Sequence, residues 1–154
     1  MIGISSCLTG ICCRYDGRSN LVEELKRLID TGQAISFCPE VLGGMPTPRD
    51  PAEIVGGSAD DVWSGKARVM TVKGEDVTVE FKAGALKALK EAQAQNIHQV
   101  ILKANSPSCG SAMVYDGTFS GKKIAGAGIT ASLFRQNGIE VMDEDAFLAS
   151  ITHP

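Results

Sequence analysis

Three of the five cysteines follow short apolar runs of strand type, two of them directly and one in the loop beyond. They are Cys7 in Ser5-Ser6-Cys7-Leu8, Cys38 in Phe37-Cys38-Pro39-Glu40, and Cys109 in Ser106-Pro107-Ser108-Cys109-Gly110, which follows the run Gln99 to Lys103. In an open α/β sheet the carboxyl ends of the parallel strands form one rim, and ligands bind there where the strand order reverses. Thiols far apart in sequence can meet on that rim, and a three-thiolate site suits an iron–sulfur cluster or a zinc ion. A cluster held by three cysteines leaves one iron open, a Lewis acid for a soft sulfur atom. Cys12 or Cys13 could supply a fourth ligand, although both lie inside the first loop, beside Arg14, with no strand end beneath them. The competing reading is packing, because cysteine is among the most buried residue types. The shared position after three strands weighs against it.

Two further sets of residues bear on chemistry. Glu40 lies two residues beyond Cys38, where a carboxylate can move a proton to or from water, with Asp16 and Glu53 as the next candidates. Around the same rim fall the hydroxyls of Ser6, Ser106, Ser108, Thr118 and Ser120 and the cations of Arg14, Arg49, Lys103 and Lys122. With amides at the Gly126 to Gly128 helix start, these could hold a phosphate. Gly126-Ala127-Gly128 falls short of a dinucleotide fingerprint, so a tight turn is the simpler reading of those glycines.

The elements that must position these residues read as α/β. Met1 to Ser6 is a strand, Cys7 to Ser19 a loop, and Asn20 opens a helix to about Thr31 whose Leu21, Leu25, Leu28 and Ile29 share one face. Ala34 to Cys38 is the second parallel strand. Pro39 to Gly65 holds four prolines and five glycines and reads as a long functional loop, with Arg49, Asp50, Glu53 and Trp63 placed to form a lid. Lys66 to Val72 and Val77 to Phe81 suggest a hairpin around Lys73-Gly74-Glu75-Asp76, unless Thr78 already opens the helix that covers Gly84 to Gln95 on a stripe of Ala85, Leu86, Leu89 and Ala92. Val100-Ile101-Leu102 has the unbroken apolar character of a strand covered on both faces. Tyr115 to Lys122 is turn-rich. A helix from the Gly126 to Thr130 region to Gln136, a strand Ile139 to Met142, and a helix from Asp143 to about Ser150 complete a single Rossmann-like three-layer domain with a mainly parallel sheet and an inserted hairpin or long loop.

At 154 residues the chain suits one domain. Fifteen basic and 18 acidic residues are mixed along it, giving a net charge of −3 and no charged tail that would announce nucleic acid or a membrane surface. No apolar run approaches the roughly 20 residues of a membrane span, and Met1-Ile2-Gly3 runs straight into a strand without a signal-peptide core, so a cytoplasmic location is expected. An odd number of cysteines without a secretory signal argues against a disulfide framework. The absence of a Cys-x-x-Cys pair, with His98 and His153 far apart, argues against common zinc modules.

Taken together, Ser6-Cys7-Leu8 with Gly10, Cys13-Arg14-Tyr15-Asp16-Gly17, Cys38-Pro39-Glu40 with Gly43-Gly44, Pro48-Arg49-x-Pro51-Ala52-Glu53, Leu102-Lys103 with Ser106 to Gly110, and Tyr115 to Phe119 resemble the bacterial thiouracil desulfidase family. The resemblance runs from Ser6 to Val141 and rests on the joint occurrence of these motifs. It implies a 4Fe-4S cluster held by Cys7, Cys38 and Cys109, with the fourth iron open to the thiocarbonyl sulfur of a thiolated uracil. Water then replaces sulfur without redox change, giving uracil or its nucleotide and hydrogen sulfide. On this reading Glu40 is the base and Ser106 or Ser108 orients the pyrimidine. The chain resembles the short members of the family, suited to small substrates such as 4-thiouridine monophosphate, whose phosphate would engage Arg49, Lys103, Thr118 and Ser120, with Ser6 also lining the substrate site. Two alternatives stay open. A sulfur-inserting cluster enzyme would need a carbonyl-activating nucleotide loop that the sequence lacks. A zinc-stabilised nucleotide-binding module would use Cys13 as its fourth ligand.

Overall fold

In the computed structural model of the chain, residues 1–9 and 22–152 are described. Four parallel strands make the central sheet: β1 (Ile2–Ser5), β2 (Ala34–Phe37), β5 (Gln99–Leu102) and β8 (Glu140–Asp143), in the order β2-β1-β5-β8. The chain steps from β1 outward to β2 and then returns to the other side of β1. The strand order therefore reverses between β1 and β5, and ligand sites of open sheets lie at that point. Registers such as Ile4 against Ser36 and Ile101, and Val100 against Val141, bring the strand ends level.

The sheet is covered on both faces, as its unbroken apolar strands require. Val100 and Leu102 point into a core with Phe37 of β2 and with Ala88, Leu89, Ala92, Ala131 and Phe134 from α4 (Thr78–Ala94) and α5 (Ile129–Gln136). Ile4 and Ile101 point the other way, toward Leu25 of α1 (Glu23–Asp30) and Phe147 of α6 (Glu144–Thr152). Phe37 and Phe134 meet with ring centroids 6.0 Å apart, tilted by 53°. Such a pair is worth about 1 kcal/mol beyond its buried area. The expected α/β class with a mainly parallel sheet is the fold observed.

Between β2 and β5 the chain is more ordered than its prolines and glycines suggest. Instead of one long loop, residues 39–65 contain α2 (Pro39–Leu42), β3 (Ala52–Val55) and α3 (Ala59–Trp63). Ser58 and Asp61 form a reciprocal capping box at the start of α3. β3 pairs antiparallel with β4 (Arg68–Thr71), over a second core of Ile54, Val62, Val69, Val77, Phe81 and Ile129. The expected hairpin is cut short: the chain turns at residues 72–74 and Asp76 bridges back to Met70, but Thr78 begins α4. The Thr78 hydroxyl accepts from Val69 N at 2.9 Å, tying the helix start to β4.

Smaller corrections follow. Leu86 is 51% exposed, and the buried face of α4 is Thr78, Phe81, Gly84, Ala85, Ala88, Leu89 and Ala92. Val22 is the N-cap of α1, with no side-chain bond to the helix, and Asn20 and Leu21 lie outside the described residues. The turn-rich segment is the tip of a hairpin of β6 (Met113–Tyr115) and β7 (Lys123–Ala125).

Candidate active site

Each strand end delivers its cysteine by a different local device. After β1 a 3-10 helix, Ser6–Thr9, carries Cys7, and the Thr9 hydroxyl donates to the Ser6 carbonyl at 2.8 Å to close the turn. After β2, Cys38 in extended conformation is the N-cap of α2, with Pro39 in its first turn and Glu40 beside it. Proline suits a first-turn position because its missing N–H costs no helical bond. After β5, Cys109 sits in the loop that leads to β6. Cys7 and Cys109 are 7% and 5% exposed, Cys38 is half-buried, and all three line one cavity of about 410 Å³. That volume is in the range of small-molecule sites.

The Cys109 loop is held from three sides. Ser106 Oγ accepts from the amides of Ser108 and Cys109, each at 3.1 Å. The Ser108 and Thr130 hydroxyls, both fully buried, pair at 2.7 Å. The amides of Ile129 and Thr130 at the start of α5 donate to the carbonyls of Pro107 and Ser108, each at 2.8 Å. This overturns the expectation that the Gly126 to Gly128 helix start holds phosphate, because its amides already serve the loop. Gly128 permits the approach: a Cβ there would stand 2.4 Å from the Ser108 carbonyl oxygen. From the other side, Glu144 accepts from Ala104 N at 2.7 Å and lies 3.0 Å from the Lys103 ammonium, while Ser5 Oγ accepts from Lys103 N at 3.0 Å.

Burial raises the Cys109 thiol well above its ordinary pKa. The neighbouring Cys38 and Glu40 raise it further, and hydrogen bonds with Ser5 and Ser108 offset part of the rise. Thiolates gathered here are stable only with positive charge among them, which an iron–sulfur core supplies. Among the described residues no three cysteine, histidine, aspartate or glutamate side chains are gathered tightly enough to hold a single metal ion. The three thiols on one cavity are a donor set that suits a cluster, and the fourth ligand of a zinc module, Cys13, lies outside the described residues with Cys12, Arg14 and Asp16.

The remaining expected residues divide between wall and scaffold. Ser6, Glu40, Arg49, Glu53, Lys103 and Ser106 line the cavity with the thiols. Arg49 donates through Nη2 to Glu40 Oε2. Glu53 Oε1 accepts from the amides of Gly117 at 2.9 Å and Phe119 at 3.2 Å, which pins the β6–β7 tip beside the cavity and makes Glu53 a clasp. Ser108 is not on the wall: its hydroxyl faces Thr130 and Cys109, so the role of orienting a pyrimidine is withdrawn from it. Thr118 and Ser120 are exposed on the hairpin tip, where Thr118 Oγ1 bonds Asp116 Oδ1 and Ser120 Oγ, each at 2.6 Å. They are not on the cavity wall, and Lys122 is likewise exposed. Of the expected lid residues, Arg49, Asp50 and Glu53 are wall, whereas Trp63 donates to the Ile129 carbonyl at 3.1 Å, away from the cavity.

Sequence reasoning missed Ser5, Glu144, Met45 and Tyr115. Ser5 was detectable as a small polar residue ending an apolar strand beside Cys7. Nothing local marks Glu144, which reaches the site only because β8 neighbours β5.

A parallel α/β sheet whose switch-point rim gathers thiols and a carboxylate around one small-molecule cavity defines a metal- or cluster-dependent enzyme class. The chain belongs to the 2-thiouracil desulfurase family, whose model matches residues 2–146. It is 52% identical over 145 residues to the uncharacterized protein YbbK of Bacillus subtilis (strain 168), covering 94% of this chain and 96% of that one. It is also similar to the solved structure of the 4Fe-4S-dependent thiouracil desulfidase TudS, at 44% identity, with 97% of each chain covered and a TM-score of 0.84. The family resemblance drawn from the motifs is thereby confirmed.

Proposed function

We propose that this chain is a 4Fe-4S-dependent enzyme that removes sulfur from a thiolated uracil, with Cys7, Cys38 and Cys109 as the cluster ligands. The observation that carries the reading is the convergence of these thiols with Glu40 on one cavity at the β1/β5 switch point, in a chain of the 2-thiouracil desulfurase family. The reaction replaces C=S by C=O: water supplies the oxygen, the C–S bond breaks, and sulfur leaves with both water protons as hydrogen sulfide. No electron is gained or lost.

When bound, the cluster supplies a Lewis-acidic iron for a soft sulfur atom. The chain's own residues do the rest. Glu40 accepts the proton of the attacking water, a contribution of about 10²- to 10⁴-fold for a well-placed base. Ser106 already accepts two amide bonds, so its O–H remains to donate to a pyrimidine oxygen or nitrogen. Met45, Pro51, Phe81 and Pro107 give an apolar wall that limits water to what the reaction uses.

The substrate is a small molecule, the free base or its mononucleotide, and not a nucleic acid: the cavity takes a pyrimidine, and the chain carries no net positive charge. Thiols kept for a cluster suit a reducing compartment, which supports a cytoplasmic location. Among the described residues no helix is long and apolar enough to cross a membrane. The test is to add 2-thiouracil, 4-thiouracil and 4-thiouridine monophosphate separately to anaerobically purified protein. Loss of thiocarbonyl absorbance matched one to one by released sulfide supports the reading; loss with no sulfide, or no loss from cluster-loaded protein, overturns it.

A further inference from the structure

We propose that Arg49 serves the reaction through Glu40, as a positioning residue, and is not a ligand for a substrate phosphate; the inference rests on the desulfuration reading above. The Arg49 side chain is 3% exposed although the residue lies on the cavity wall. Its Nη2 donates to Glu40 Oε2, and its Nη1 donates to the Pro46 carbonyl at 3.1 Å and to the Thr47 hydroxyl at 3.2 Å. The guanidinium is a bracket between the first turn of α2 and the 46–49 segment. Its planar fork is suited to that task, because one rigid group sets two chain segments at a fixed separation.

Glu40 needs such a bracket. It stands in a helix of only four residues, and a glutamate side chain has three torsions to fix. Among the described residues Arg49 engages Oε2 of Glu40, and Oε1 is the oxygen that would take the proton of the attacking water. Turning the guanidinium toward a phosphate would strip Glu40 of its partner in a half-buried place, which is costly. Lys103, the other cation among the described lining residues, is committed in the same way, 3.0 Å from Glu144 Oε2 and donating to the Ala104 carbonyl at 3.0 Å. Both of the phosphate candidates that reach the described cavity wall as cations, Arg49 and Lys103, are engaged with carboxylates.

The test is a double-mutant cycle of Arg49→Gln and Glu40→Gln, with Arg49→Lys alongside, in anaerobically purified protein. Iron, acid-labile sulfide and the visible spectrum are measured first, then kcat and KM on 4-thiouracil and 4-thiouridine monophosphate. Arg49→Gln should keep its iron and spectrum and hold KM on both substrates, yet lose about 100-fold in kcat on both, the order expected when a reacting group shifts by about 1 Å. Added to Glu40→Gln, it should cost nothing further. Arg49→Lys should recover part of the loss, since it keeps the charge without the fork. A rise in KM confined to the nucleotide would make Arg49 a phosphate ligand and overturn the proposal. Additive losses in the cycle would also overturn it, as would loss of iron in both Arg49 variants, which would mark a purely structural role. A wild-type protein that holds its cluster but turns over neither substrate would overturn the desulfuration reading, and this proposal with it.

Discussion

Gly84 of α4 and Pro39 of α2 meet backbone to backbone: a Cβ at position 84 would lie 1.8 Å from the Pro39 carbonyl oxygen. Gly43 answers from the other helix, where a Cβ would lie 2.0 Å from the Glu80 carbonyl oxygen. The two glycines let α2 lie directly on α4, and α2 carries Cys38 at its N-cap and Glu40 in its first turn. A packing contact at the far face of a helix thus sets the position of a ligand and a base.

Gly84→Ala should therefore act at a distance. The added methyl meets backbone, which cannot swing aside, so α2 must shift at a cost of about 1–3 kcal/mol. Urea unfolding should show that loss, and iron bound per chain should fall with it. Wild-type stability and iron content would show that α2 is free to move.

Ser106 is predicted to be more than a substrate contact. Ser106→Ala leaves the amides of Ser108 and Cys109 without their acceptor, and each such loss costs about 1–3 kcal/mol where water cannot substitute. Ser106→Thr keeps the acceptor. The alanine variant should bind less iron and unfold at lower urea, and the threonine variant should retain both properties.

Glu53 separates charge from hydrogen bonding. Its Oε1 holds two backbone amides of the 117–119 turn, and Gly117, at φ 91°, lies so close to β3 that a Cβ would sit 2.5 Å from the Ile54 carbonyl oxygen. Glu53→Gln preserves an acceptor oxygen and should keep the cavity and its KM. Glu53→Ala should release the tip that places Tyr115 and Gly121 on the wall, raising KM about tenfold, the equivalent of about 1.4 kcal/mol. Equal KM values in the two variants would refute the clasp.

The parts of this architecture legible in the sequence were those written locally. Val100-Ile101-Leu102 reads as a strand buried on both faces, and each of three such strands is followed by a segment that carries a cysteine. What was illegible depended on partners far away in the chain. β3 hides among prolines and glycines because four residues become a strand only when β4 pairs with them. Leu86 fits an apolar stripe by spacing, yet α4 is turned so that Gly84 and Ala85, the small residues, face α2 and the second core. Thr118 and Ser120 carry the right chemistry for a phosphate, but their hydroxyls serve the hairpin turn. Arg49 was recognised as important by type, but its bond to Glu40 was not, because nothing in the spacing of 40 and 49 reveals that they meet.

Asp76 gives a pH signature. Bonds from Thr78, its hydroxyl first and its amide second, hold the Asp76 carboxyl below its ordinary pKa, and Arg68 adds to this. A carboxyl whose native pKa is depressed stabilises the fold above its unfolded pKa, and the contribution is lost as pH falls through the native value. Thermal melts of wild type and Asp76→Asn should therefore differ near neutrality and converge below about pH 4. A difference that persists unchanged to pH 2 would show that the charge is not involved.

The most direct measurement is iron and acid-labile sulfide per chain, with the visible spectrum, in anaerobically purified wild type and in five single variants: Cys7→Ala, Cys12→Ala, Cys13→Ala, Cys38→Ala and Cys109→Ala. Wild type should be brown, with four irons and four sulfides per chain, as a 4Fe-4S cluster requires. Loss of the cluster should be confined to the variants at 7, 38 and 109. A colourless wild type carrying zinc, or a cluster that survives without Cys109 and is lost without Cys12 or Cys13, would contradict the three-ligand site at the β1/β5 switch point.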